Sequence, residues 1–74
     1  MTNLFDPITL RKTTFQNRVW VSPMCQYKAI DGLISEWHFA HLNAFATGAP
    51  GLIMVEASGV VPEGRISVGC TGIW

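Results

Sequence analysis

The sequence predicts an α/β fold organised on one parallel β-α-β unit. Three stretches carry that reading. Arg18–Ser22 is a short apolar run of β-branched and aromatic residues, the composition of a buried strand. Ser35–Thr47 holds good helix formers behind a serine that suits a helix start, with Glu36 adding negative charge to the first turn. Leu52–Ala57 is a continuous rather than alternating apolar run broken only by Glu56, as strands covered on both faces are. Strand, helix and strand within about 40 residues make one unit, whose crossover is expected to be right-handed.

In chain order, Met1–Asn17 reads as an entry segment. Asp6-Pro7 marks a turn, and Ile8, Leu10 and Phe15 alternate with polar residues, so the stretch is expected to be irregular β structure. The strand at Arg18–Ser22 should stop at Pro23, which has no N–H to donate and biases Ser22 to an extended shape. Gln26–Ile34 is a loop turning at Asp31-Gly32. In the helix, Trp37, His41, Ala44 and Phe45 fall on one face; Gly48 is the expected stop, followed by Pro50. Ser58–Ile66 is a second loop, turned by Pro62-Glu63-Gly64.

Composition bounds the function classes. The chain has 74 residues, 49% of them hydrophobic and 14% charged, which is too apolar for a disordered segment. A chain of this length makes only a marginal core by itself. Formal net charge is zero, so nothing points to nucleic acid or an anionic membrane as partner. The residues after Met1 do not form the apolar core of a signal peptide, and Leu52–Val55 is too short to span a bilayer. Cytoplasmic residence is the expectation. Cys25 and Cys70 follow no metal-binding spacing, and a disulfide framework is not expected.

Chemistry in parallel α/β folds sits at the carboxyl ends of strands. Here that position reads Ser22-Pro23-Met24-Cys25-Gln26-Tyr27, a thiol and a phenol two residues apart after a proline break. This hexapeptide resembles the first-strand motif of the old yellow enzyme family of FMN-dependent ene-reductases, in the bacterial thermophilic-like version with Cys rather than Thr. Leu4-Phe5-Asp6-Pro7, Asn17-Arg18, Leu52 to Ser58 and Pro62-Glu63-Gly64-Arg65-Ile66 occur in the family's order, so the resemblance covers essentially the whole chain.

The resemblance implies an N-terminal portion of a (β/α)8 TIM barrel, residues 1–74 forming a partial FMN oxidoreductase domain with an entry hairpin closing the barrel bottom. A whole barrel needs around 250 residues. It implies FMN as cofactor, NADPH or NADH as reductant, an enone-type small-molecule substrate and a homo-oligomeric full-length form. The flavin cradle is expected from Ser22, Pro23, Met24, Cys25 and Ala57, the small Ala57 leaving room for a planar ring. Tyr27 is expected on the substrate side. Carbonyl-polarising histidines, the proton donor and the phosphate loops are expected elsewhere, so no catalytic residue is assigned within these 74 residues.

Each candidate has a plainer reading. By residue type alone, Cys25 is a small buried hydrophobe and Tyr27 a packed ring with its hydroxyl on water. In an extended stretch the two side chains point the same way. Glu56 is expected to pair with Arg65, since a buried charge needs a partner. His38 and His41 lack a second cysteine at metal spacing and are read as packing or surface residues, so no metal site is expected. Phosphate-loop and nucleophile-elbow motifs are absent from the sequence. Two rivals stay open: a non-enzymatic truncated remnant used for association, and a flavin barrel enzyme acting on amines or dienoyl thioesters.

Overall fold

The computed structural model describes residues 2–74. The entry segment is a regular hairpin: β1 (Ile8–Leu10) pairs antiparallel with β2 (Thr13–Phe15), Ile8 opposite Phe15 and Leu10 opposite Thr13. A two-residue turn joins them with Arg11 at φ 55°, and the Thr9 and Thr14 hydroxyls hydrogen-bond across the strands at 2.9 Å. The Arg18 amide bonds to the Leu4 carbonyl at 2.9 Å, and its guanidinium to the Pro7 carbonyl at 3.2 Å. These two bonds tie the hairpin to the start of the next strand.

The expected unit follows. β3 (Trp20–Val21) pairs in parallel with β4 (Leu52–Ile53), and α1 (Glu36–Ala46) joins them. The Gly51 amide reaches the Val19 carbonyl at 2.9 Å and the Met54 amide reaches Val21 at 3.0 Å, which extends the ladder at both ends. Gly51 lies hard against the Asn17 carbonyl, where no Cβ fits. Regular pairing is shorter than Arg18–Ser22 and Leu52–Ala57 suggest. Met54 and Val55 are exposed rather than covered on both faces.

The helix bounds agree with the sequence, Ser35 serving as N-cap and Thr47 as C-cap. The covered face agrees in part: His41 and Phe45 turn inward as expected, together with His38 and Leu42, whereas Trp37 and Ala44 are exposed. The C-terminal stop also differs. The Gly48 and Ala49 amides still bond back to Phe45 and Ala46 at 3.0 Å, and it is Ala49, at φ 52°, that enters the left-handed region. Its carbonyl is held by the Asn17 side chain at 3.0 Å, a long-range contact that fixes a conformation alanine does not choose alone.

The loop at Asp31-Gly32 is a tight turn with both residues at positive φ, 50° and 77°, bridged by Ile30 and Leu33. After β4 the chain forms a third pair that the sequence reading lacks: β5 (Ser58–Gly59) runs parallel to β6 (Thr71–Gly72) around a 3₁₀ turn at Pro62–Gly64. The Trp74 indole lies over Gly72 and Gly32, and the Arg65 guanidinium stacks on its ring at 5.3 Å. The fold is thin, 46 × 26 × 15 Å, and among the described residues Ala29 and Cys70 are the only buried hydrophobic side chains.

Candidate flavin-facing site

Because β3 and β4 are adjacent and parallel, their carboxyl ends emerge side by side. Past Val21 the chain leaves the ladder through Ser22, Pro23, Met24 and Cys25. The first three are exposed and Cys25 is half-buried with a free thiol. Neither the Met24 nor the Cys25 amide has a hydrogen-bond partner among the described residues. Ala57 is likewise exposed at the end of the stretch that follows β4. Two amides without partners after one strand, and a methyl-sized exposed residue after its parallel neighbour, are groups a planar acceptor can use. They suit one edge of an isoalloxazine ring, whose carbonyls and ring nitrogens accept hydrogen bonds.

The segment is held from behind. The Gln26 side chain donates to the Met24 carbonyl at 2.9 Å and accepts from the Trp37 indole at 2.8 Å. The Lys28 ammonium sits over that indole at 5.2 Å. Exposed Trp37, expected on the inner helix face, therefore works as a post for the loop. Tyr27 is 63% exposed and sits at φ 59°. The two-residue periodicity that would align it with Cys25 in an extended strand stops there. Gly69 packs so closely on Tyr27 that a Cβ would lie within 2.8 Å of its backbone, and the Ala29 amide bonds to the Gly69 carbonyl at 3.0 Å.

Glu56 does not pair with Arg65. Arg65 donates to the Pro62 carbonyl at 3.0 Å and stacks on Trp74. Glu56 faces His38 instead, Oε2 to Nε2 at 3.5 Å, with the side chains 7% and 4% exposed. His38 also closes the start of α1: its Nδ1 accepts the Ser35 amide at 2.9 Å, as the glutamate of a capping box does. A Ser-x-x-His spacing at a helix start was the available signal for it. Both residues border a cavity of about 160 Å³ between α1 and the strands, lined otherwise mainly by apolar groups such as Val21, Leu42, Phe45 and Ile53. Ser22 and Met24 reach this cavity; Pro23, Cys25, Tyr27 and Ala57 do not.

Cys70, the second thiol, is buried, and Ser67 Oγ lies 3.3 Å from its sulfur. Hydrogen bonds from the Ser67 side chain and backbone hold the thiol pKa below its ordinary value. Among the described residues no cluster of three or more ligating side chains could hold a metal ion, and no helix is long and apolar enough to cross a membrane.

The profile of the NADH:flavin oxidoreductase / NADH oxidase family matches residues 3–74. The chain belongs to that family. An NADPH dehydrogenase of Bacillus pumilus is 52% identical over 99% of this chain and 22% of its own length. An NADH:flavin oxidoreductase of Gibberella zeae is 47% identical over 99% of this chain and 18% of its own. Among solved structures, a variant of NCR from Zymomonas mobilis superposes with a TM-score of 0.77 at 34% identity, over 100% of this chain and 24% of that one. The chain thus spans about a fifth of the length of the curated relatives it matches. The hairpin and the β3-α1-β4 unit are the part of an old yellow enzyme barrel that the sequence led one to expect.

Proposed function

We propose that this segment supplies one edge of an FMN site in an oxidoreductase that uses NADPH or NADH to reduce the C=C bond of α,β-unsaturated carbonyl compounds. The observation that carries the proposal is the pairing of strand ends. The free amides of Met24 and Cys25 lie at the exit of β3, and Ala57 follows the adjacent, parallel β4. When bound, FMN supplies a reversible hydride acceptor between the nicotinamide and the alkene. The residues of this chain bind and orient it. Ser22 and Pro23 bring the backbone out of the strand, and Met24 and Cys25 donate amides to the ring edge. Ala57 leaves the ring room to approach.

Cys25 adds a polarizable thiol next to the ring, a weak donor that responds to the charge change on reduction without itself being consumed. Tyr27, exposed and held in the left-handed region, offers its hydroxyl to a carbonyl or phenolic ligand. The Ser35 amide is taken up by His38 Nδ1; the sequence carries no phosphate-loop motif, and the family resemblance assigns the cofactor phosphate to residues outside this segment.

The test is a titration of the full-length protein with FMN, followed by NADPH oxidation in the presence and absence of cyclohexenone. Stoichiometric FMN binding and enone-dependent NADPH consumption are expected. A protein that binds FMN but oxidises NADPH at one rate with or without any enone would refute the substrate class.

A further inference from the structure

We propose that His38 and Glu56 form a positioning pair that sets the Ala57 edge of the flavin cradle from behind; this rests on the reading of Ala57 given above and deepens it. Glu56 and Ser58 both border the cavity beside α1, whereas Ala57 between them does not and is exposed. Ala57 is restrained at its carbonyl and through its neighbours. Ser58 Oγ donates to the Glu56 carbonyl at 3.1 Å and shares a 2.7 Å bond with Thr71 Oγ1, which also lies 3.5 Å from the Ala57 carbonyl. That clamp holds the backbone from the Glu56 carbonyl onward. The Glu56 side chain is faced by the imidazole.

The histidine is set up for that task. Its Nδ1 accepts the Ser35 amide, so the neutral ring carries its proton on Nε2, and Nε2 is the atom that faces Glu56 Oε2. Nε2 and Glu56 Oε1 are both buried without a hydrogen bond of ordinary length among the described residues. A carboxylate kept in a mostly apolar cavity is a poor choice for packing alone, since a leucine there would leave no polar atom to satisfy. What the pair adds is direction: it sets the stretch after β4 against the first turn of α1, one residue before the ring-facing position.

Two substitutions separate this from simple capping. His38→Asn keeps an acceptor where Nδ1 meets the Ser35 amide but removes the donor toward Glu56. Glu56→Leu leaves the cap whole and removes the acceptor. In the full-length protein, both are expected to weaken FMN binding at least fivefold and shift the visible flavin absorption bands. Ala57→Val, which crowds the ring directly, should also weaken FMN binding. If Ala57→Val weakens binding while His38→Asn and Glu56→Leu leave affinity and spectrum unchanged, the pair is only a cap and the proposal is overturned. If Ala57→Val is itself without effect, the assignment of Ala57 to the cradle fails and the proposal fails with it. Should His38→Asn not fold, the Glu56→Leu result decides.

Discussion

Made by itself, this 74-residue chain is expected to yield an insoluble or molten product with no ene-reductase activity and little retained FMN. The size of the shortfall follows from the surface. A folded monomer of this mass exposes about 4,500 Å² by the usual scaling. The structure exposes 5619 Å². The radius of gyration tells the same story, 14.9 Å against the roughly 11 Å of a compact domain this long. If about 60% of the extra 1,100 Å² or so is apolar, leaving it in water forgoes about 16 kcal/mol at roughly 25 cal/mol per Å². That matches or exceeds the whole stability of an ordinary domain, about 5–15 kcal/mol. The residues responsible are identifiable: Ile30, Leu33, Phe39, Ile66, Val68 and Ile73 are all exposed. Purified chain should show poor amide dispersion in NMR, bind a hydrophobic dye and melt without a cooperative transition. Flavin fluorescence should not be quenched stoichiometrically. A soluble monomer with a sharp two-state transition that binds one FMN and reduces cyclohexenone would refute the reasoning.

Three further outcomes concern single side chains. Cys25→Ala in the full-length protein should keep FMN bound yet move the flavin midpoint potential and change ligand affinity; if both stay at parent values, the thiol is only packing. Tyr27→Phe should weaken a phenolic or carbonyl ligand by about 0.5–1.5 kcal/mol, the net worth of one hydrogen bond, with flavin content unchanged; loss of flavin as well would put Tyr27 in the cofactor site. The lowered Cys70 pKa makes this thiol a stabilising group at alkaline pH, present above the unfolded thiol's pKa and lost as pH falls through the folded value. Ser67→Ala removes a main cause of that shift, so thiolate absorbance followed in a Cys25→Ala background should rise at higher pH than with Ser67 present. An unmoved titration would show that the serine does not set it.

How much of this was legible depended on the range of the interaction. The helix bounds were, because a serine cap and a run of helix formers act locally. The parallel pairing of β3 with β4 was too, because a continuous apolar run joined through one helix leaves few alternatives. What escaped was settled by distant partners. Ala49 is left-handed because Asn17 holds its carbonyl, and Trp37 is outside because Gln26 engages its indole. Glu56 chose a histidine eighteen positions earlier over the arginine nine positions later, since Arg65 already had a carbonyl and an indole to bond with. The β5–β6 pair was invisible because Ser58-Gly59 and Thr71-Gly72 carry neither an apolar run nor a periodicity. Of the site, the exit of β3 was readable from Pro23, but the support behind it was not.

The entry hairpin has a consequence in time. Its strands meet across a two-residue turn, so its contacts close within microseconds of the residues becoming available. The pairing of Trp20 with Leu52 must wait for the intervening loop and helix. During synthesis the hairpin is thus finished before the second strand of the unit has left the ribosome, at about 5–20 residues per second. Through Arg18, bonded to Leu4 and Pro7, it presents the start of β3 in a fixed direction to whatever arrives later. The hairpin, with three paired positions against two in each of the other sheets described, becomes the reference against which the later strands are aligned, and weakening its turn at Arg11 should slow assembly more than it lowers the stability of the finished protein.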